Sequence, residues 1–527
     1  MSSFHLDIPR HMRSPGEDGY RTPTIEDAER TLSILGVMDS SASQAREVHS
    51  TALDAVLQRV SSRATDRAAG KEKDSGISGC KDRDYDPNGT AADYFASKLS
   101  WKKRIRHVTW AYFTITMATG GLANVLYQGM LGLLFKRAQW RMVYQRKNQL
   151  TWRLLVPFKF NGLETIGIVV FLINIALYLF IWGLLIARFY HYPYTFKASF
   201  LHPTESLFIP ASIVSFGTIL INISQFGPEN AGPWLLTAVD VLFWLDAALA
   251  VVLSAGIYLL LSTLAVSYLH LQRWSTQTFT IAQMTPIWIF PAYPLLIIGP
   301  HAGILSAKLD PERALRVIIG GTTIQGVGFL VSMMVYSAFI YRLMTQKLPR
   351  ENLRPGMFVS VGPSGFTVAG IVNMASEAKR AFPADFMGDG PLAANVLRVV
   401  VDFASLWLWG LAVFFFIIAS AAHWSAIGPG RMVFSMTWFS FVFPNTALIT
   451  ATFAIGQAFS CKAINIIGCV AILPLLLMYF FVCYMMIRAI VTHQILWPQK
   501  GEDRDEGGFE IYSIKPESEN SRENVTV

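Results

Sequence analysis

Ten stretches of this chain contain no Asp, Glu, Lys or Arg: 107–135, 165–187, 206–228, 247–272, 274–307, 317–341, 355–376, 403–430, 432–461 and 463–487. The shortest has 22 residues. About 20 apolar residues carry an α-helix across the hydrocarbon core of a bilayer. Backbone groups in lipid must bond one another, which leaves helices or closed barrels. Barrel strands would show short segments of strict alternation, and these runs do not alternate. The expectation is an all-α polytopic membrane protein with ten transmembrane helices. The fourth should begin early, near Pro233, and take in Asp240 and Asp246. Only 15% of the 527 residues are charged and 52% are hydrophobic, against about 25% charged in soluble domains. That balance excludes a disordered chain, a collagen-like chain and an ordinary soluble enzyme.

Polar tails flank this zone. Residues 1–100 hold 13 Lys/Arg and 16 Asp/Glu, with no run able to span a membrane, and read as a disordered tail. Residues 494–527 hold 4 basic and 8 acidic residues and read as a second tail. The remaining 101–493 is the membrane domain, with 27 basic and 12 acidic residues. Ten crossings put both tails on one side, expected to be cytoplasmic. Counting Lys and Arg beside the spans gives 13 inside and 14 outside on that topology, so the positive-inside rule does not decide it. Four cysteines form no CxxC or CxxH pattern, and neither a metal nor a cofactor is expected.

The odd-numbered runs share a feature. The first has Thr119-Gly120-Gly121 in its middle and the third has Pro210. The fifth has Pro286, Pro291, Pro294 and Pro300, the seventh Gly362-Pro363-Ser364-Gly365, and the ninth Pro444-Asn445-Thr446. Among even runs only the tenth has an internal proline, Pro474. Proline removes a backbone hydrogen bond, and in lipid the freed carbonyl needs protein or a wet cavity. Alternation therefore points to five broken inner helices around a pathway and five outer helices facing lipid. Polar residues gather at the same places: Thr116, Thr119, Ser360, Ser364, Thr367, Asn373, Asn445, Thr446 and Thr450. No Lys or Arg lies mid-way along an odd run, so hydroxyls, amides and half-helix dipoles must attract an anion. The rival reading is that each Ser or Thr bonds back to its own helix.

Charges within spans fall on even helices. Arg398 and Asp402, four apart, can pair along one face. Asp240 and Asp246 lie in the fourth span and Glu164 opens the second. Asp246 is the first candidate for proton coupling. His202 and Glu205 read as an interfacial cap, and His301 is expected at the outer mouth.

Four blocks carry a resemblance: RIRHVTWAYFTITMATGGL at 104–122, TPIWIFPAYPLLIIGPHAG at 285–303, RPGMFVSVGPSGFTVAGIVN at 354–373 and MTWFSFVFPN at 436–445. In order and spacing they resemble the tellurite-resistance/dicarboxylate transporter family, in its fungal malic acid transport branch. That family also holds plant slow anion channels and fungal sulfite efflux pumps. The resemblance implies five helical hairpins in quasi-fivefold arrangement around a central pore, assembled as a homotrimer in membrane lipid. It implies a plasma-membrane carrier of C4-dicarboxylates, malate first, with or without protons. A sulfite efflux pump or anion channel of the same fold is the alternative. By the resemblance Phe443 matches the pore gate. Phe441, two residues earlier and about 200° round the helix, cannot share its direction. The pathway would then be lined by Thr119, Gly120, Gly121, Pro291, Pro294, Ser360, Pro363, Ser364, Thr367, Pro444, Asn445 and Thr446.

One segment departs from the family pattern. Residues 129–155 carry six basic and no acidic residues between the first and second spans. They read either as a basic loop on the outer membrane surface or, the favoured reading, as an unspliced in-frame intron. An intramembrane enzyme would need HExxH, GxGD or a Ser/His constellation, and none occurs; Met387-Gly388-Asp389 sits in a loop and lacks the required glycine. Nothing points to nucleic acid. A receptor or sensor with the long tail as its output is the remaining class.

Overall fold

The computed structural model describes residues 101–144, 163–270, 284–346, 348–424 and 432–496. These belong to one compact unit, Lys98–Val527. The tail 1–100 and nearly all of the tail 494–527 lie outside the described residues. Among the described residues ten long helices follow in chain order: α1 Phe113–Tyr144, α2 Leu163–His191, α3 Ala211–Phe226, α4 Pro233–His270, α5 Tyr293–Ser306, α6 Pro311–Thr345, α7 Gly362–Ala381, α8 Gly390–Trp424, α9 Phe443–Ala458 and α10 Lys462–Val491. Among the described residues there is no strand. The helices α2 to α10, with the short lead-in segments of the odd ones, give nine spans long and apolar enough to cross a membrane. The helix α1 stands where the remaining expected span was placed. α4 begins at Pro233, in line with the early start expected near that residue.

Burial divides the helices by parity. In the apolar windows of α3, α5, α7 and α9, 83–89% of residues are buried; in α2, α4, α6, α8 and α10 only 17–33% are. Large apolar side chains such as Leu179, Val252, Met334, Trp407 and Leu477 point outward from the even helices. In water that surface would aggregate; in a bilayer it is the solvent-facing side. Each odd helix packs on the even helix that follows it, giving five hairpins. The odd helices also pack in sequence: α1 on α3, α3 on α5, α5 on α7, α7 on α9, and α9 back on α1. They form a closed inner ring.

Each inner helix has a lead-in that is not α-helical or is broken from it. A 3₁₀ turn, Trp110–Tyr112, precedes α1; longer 3₁₀ stretches precede α5 (Pro286–Ala292), α7 (Glu351–Val361) and α9 (Met436–Phe441). A short helix, Pro203–Phe208, precedes α3 and stops before Pro210. Pro294, Pro363 and Pro444 stand in the first turn of α5, α7 and α9. There a missing N–H is harmless and the fixed φ suits a helix start. These prolines begin helices rather than kink them. Pro291 lies inside the 3₁₀ stretch, and Pro300 inside α5.

The first inner helix corrects the sequence reading. α1 runs unbroken through Thr119, Gly120 and Gly121; its break falls earlier, at Trp110–Tyr112. Glycine keeps its N–H, so it can stay in a helix while letting neighbours come close. A Cβ at Gly120 would meet Asn174 Nδ2 at 2.7 Å, and one at Gly121 would meet Thr446 Oγ1 at 2.7 Å. Residues 129–144 of the basic segment continue α1; 145–155 lie outside the described residues.

Candidate functional site

The first residues of three inner helices meet inside the ring. Phe443 opens α9, Tyr293 opens α5 and Gly362 opens α7. The Phe443 ring lies 6.0 Å from that of Tyr293 and 5.1 Å from that of Phe366 on α7. A Cβ at Gly121 of α1 would lie 3.3 Å from Phe443 Cδ2. Phe443 thus touches three other inner helices. α5 and α9 are not neighbours in the ring, so the Phe443–Tyr293 contact crosses its interior. Tyr293 is held by its hydroxyl, which donates to the Val359 carbonyl at 2.5 Å. Phe290 stacks on its other side, 5.2 Å between centroids. Phe443, Tyr293 and Phe366 are all buried. Together they form a buried aromatic cluster at the starts of α5, α7 and α9. Phe441 faces the other way, onto Phe358, Trp438 and the outer-helix His423.

Most of the hydroxyls singled out by sequence are committed to their own helices. Thr116, Thr119, Ser360, Thr367, Thr446 and Thr450 each donate to a carbonyl three or four residues back, at 2.6–3.0 Å. This is the rival reading of those residues, and it has a chemical consequence: their protons are not free to bind an anion. Some accept bonds as well. Thr367 takes a bond from Gln325 of α6 at 2.8 Å, and Thr119 stands 2.9 Å from Tyr479 of α10. Thr119 is therefore turned toward an outer helix, and Gly120 toward Thr218 and Asn174. Ser364 lies 3.4 Å from the Tyr336 hydroxyl, which donates to the Ser360 carbonyl at 2.7 Å. Asn445 donates to the Phe441 carbonyl at 2.8 Å. Gly121, Phe443 and Thr446 come together, whereas Thr119 and Thr367 are bonded to outer helices.

The outer helices lock the ring from behind. Gln325 accepts from the Gly299 N–H at 3.0 Å while donating to Thr367, so it bridges α5 and α7. Trp409 of α8 donates to Thr452 of α9 at 3.0 Å, and Tyr258 of α4 to the Trp288 carbonyl at 3.0 Å. Arg398 and Asp402 form the expected pair along α8, at 3.8 Å.

A buried ion pair was not foreseen. Arg188, at the end of α2, stands 2.6 Å from Glu205, and both side chains are no more than 2% exposed. The same guanidinium donates to the Val108 carbonyl at 2.6 Å, just before the break leading into α1. Ser199 donates to Glu205 at 3.0 Å. His202 is the cap it was read as, its Nδ1 accepting from the Glu205 N–H at 3.1 Å. The sequence signal was present: an arginine closing one apolar run and a glutamate just ahead of the next. Sequence alone assigns Arg188 to the membrane-flanking charges and Glu205 to a cap, and does not pair them. His301 is not at an outer mouth. It is fully buried in α5, its Nε2 3.1 Å from Ser224 Oγ of α3 and its ring against Phe243 of α4.

A ring of interrupted, buried helices coated with apolar outer helices defines a multi-pass membrane protein. Residues 107–487 match the SLAC1 family, described as voltage-dependent anion channel, and the chain belongs to that family. It is an anion transporter and not an enzyme. It is 27% identical over 409 residues to the malic acid transport protein of Schizosaccharomyces pombe, covering 77% of this chain and 84% of that protein. A putative malic acid transport protein of the same yeast is 26% identical over 77% and 85%. The sulfite efflux pump SSU1 of Trichophyton rubrum is 25% identical over 59% of this chain and 79% of its own length.

Proposed function

We propose that this chain carries C4-dicarboxylates, malate first, across the plasma membrane through the inner ring, with Phe443 as its gate. The observation that carries the reading is the aromatic contact across the ring: one side chain, at the start of one inner helix, closes onto three others. In this reading the termini are cytoplasmic, the five hairpins keep quasi-fivefold symmetry, and three chains assemble as a homotrimer. Pro291, Pro294, Pro363 and Pro444 shape the pathway by setting where each half-helix starts, and Asn445 and Thr446 stand just beyond the gate. The names of the two fission-yeast relatives support malate over other anions.

The attraction for the anion is weak by construction. No basic side chain lies mid-way along an inner helix, and the hydroxyl protons are spent on helix carbonyls. What remains is the partial positive charge at the N-terminal ends of α5, α7 and α9, where Tyr293, Gly362 and Phe443 come together. Weak binding favours fast transit. The driving force is then electrical: about 2.3 kcal/mol per charge for each 100 mV, twice that for a dianion.

The test is flux in proteoliposomes, with malate and sulfite as separate solutes and with imposed voltage and pH series. Malate flux that rises with voltage is expected. Sulfite flux without malate flux would replace the reading with its sulfite alternative, and flux of neither would overturn both.

A further inference from the structure

Behind the ring wall stands a carboxyl group with no hydrogen-bond partner among the described residues. Glu205, Asp240 and Asp402 each lie within 4.0 Å of an arginine. Asp246 of α4 is fully buried, and neither of its carboxyl oxygens has a hydrogen-bond partner. It fits into a notch in the wall. A Cβ at Gly217 of α3 would come 3.0 Å from Asp246 Oδ2 and 2.7 Å from Ile297 Cγ2 of α5. The carboxyl therefore rests on bare α3 backbone, at the seam between two inner helices.

The same seam holds a second group that exchanges protons. His301 is one turn beyond Ile297 on α5, and its Nε2 meets Ser224 Oγ on α3 at 3.1 Å. Its Nδ1 is buried without a hydrogen-bond partner among the described residues. Phe243, three residues before Asp246 on α4, packs on the imidazole at 5.2 Å between centroids. Residues three apart share a helix face, so the acid and the imidazole are addressed by one face of α4. From α2, Tyr178 lies within the electrostatic reach of Asp246. No Lys or Arg among the described residues forms an ion pair with it. Beyond His301 the seam continues to Gln225, whose carbonyl accepts from Lys308 at 3.1 Å.

A carboxylate removed from water with no counter-charge costs several kcal/mol, whereas a neutral acid is tolerated. The notch admits the acid. We propose that Asp246 and His301 form a proton-binding site in the ring wall, separate from the anion's route, and that its occupancy couples proton movement to anion passage. Loading moves one proton from hydronium onto a carboxylate oxygen of Asp246 and leaves water; release returns that proton to water. His301, with Nε2 at Ser224, takes up and gives back a proton at its unpartnered Nδ1 in the same way. The site would make the transporter respond to a proton gradient as well as to voltage. The inference rests on anion transport by this chain but not on malate as the anion.

The test uses the purified full chain in voltage-clamped liposomes loaded with a pH dye, with malate and sulfite gradients in separate arms, each corrected for protein-free vesicles. The readout is protons moved per anion, which a change in overall activity does not alter. Wild type should co-move protons. Asp246→Asn should lower the ratio at least tenfold, Asp246→Glu should restore it, and His301→Gln should lower it less. An unchanged ratio in Asp246→Asn, or anions moving without protons in wild type, would overturn the proposal. Movement of sulfite but not malate would sink the malate reading and leave the ratio to be read in the sulfite arm. Infrared spectra of the protein in lipid give a check that needs no anion. A protonated carboxylic C=O band lost in Asp246→Asn is expected; an unchanged band would also overturn the site.

Discussion

The two sides of the inner ring are held by different physics. Between α1 and α3 the contacts are polar: Thr116 to Ser215 at 2.7 Å, Asn222 to the Gly120 carbonyl at 3.0 Å, and Gln225 to Asn124 at 2.6 Å. At the foot of that seam, Arg188 and Glu205 tie the approach to α1 to the approach to α3. Between α5 and α7 the backbones themselves approach. A Cβ at Gly370 would fall 2.7 Å from the Gly299 carbonyl carbon, and one at Gly303 would fall 2.7 Å from Asn373 Cβ. The α7–α9 seam is similar, with Gly365 against Ala447 backbone. Polar partners and glycine contacts both bring helices together in lipid, where apolar burial gives little drive between helices. The difference is in how each fails. A polar seam fails by leaving a group unpaired, and a glycine seam fails by being pried apart.

The largest effect is expected at the ion pair. Arg188→Ala leaves Glu205 buried and uncompensated, which costs about 3–5 kcal/mol, and thermal unfolding in detergent should show it as a large fall in Tm. Replacing both partners with apolar residues, Arg188→Met with Glu205→Leu, should recover much of that loss. If the double change is as damaging as the single one, the polar side is not held by pairing. Next comes Gly370→Val, where overpacking against Gly299 backbone should cost about 1–3 kcal/mol; a neutral result would mean that the α5–α7 seam yields easily. Asn222→Ala should cost only about 0.6 kcal/mol, the usual scale for one interhelical bond in a membrane. The smallest effect belongs to Asp310, the N-cap of α6, which accepts from the Arg313 N–H at 3.3 Å. Bonding to Arg313 holds its carboxyl below the ordinary carboxylate range. Its contribution is present above that range and fades as pH falls through the lowered value. Asp310→Ala should lower Tm slightly at neutral pH and remove that fade.

Much of the architecture was legible in sequence because the bilayer imposes a length and forbids charge. The uncharged runs fixed the helices, and prolines on alternate runs separated inner from outer. The register of the breaks was less legible. A Gly-Gly pair and a proline look alike as interruptions, yet Gly120 and Gly121 are close-contact points in an intact helix, while Pro294 and Pro444 mark helix starts. The direction of hydroxyls was not legible at all, since Thr119 facing α10 and Thr446 facing Gly121 follow from helix rotation. Arg188 and Glu205 were hidden by distance along the chain: seventeen residues separate partners that the turn between α2 and α3 brings together. The opposite directions of Phe441 and Phe443 were legible, because residues two apart on a helix point about 200° from one another.

That last pair offers the most direct measurement of the central claim, that an aromatic plug closes the ring. Anion currents through the protein in planar bilayers should rise several-fold in Phe443→Ala and stay near wild type in Phe441→Ala, at equal protein density. Equal effects of the two changes, or no rise in Phe443→Ala protein that folds normally, would contradict it.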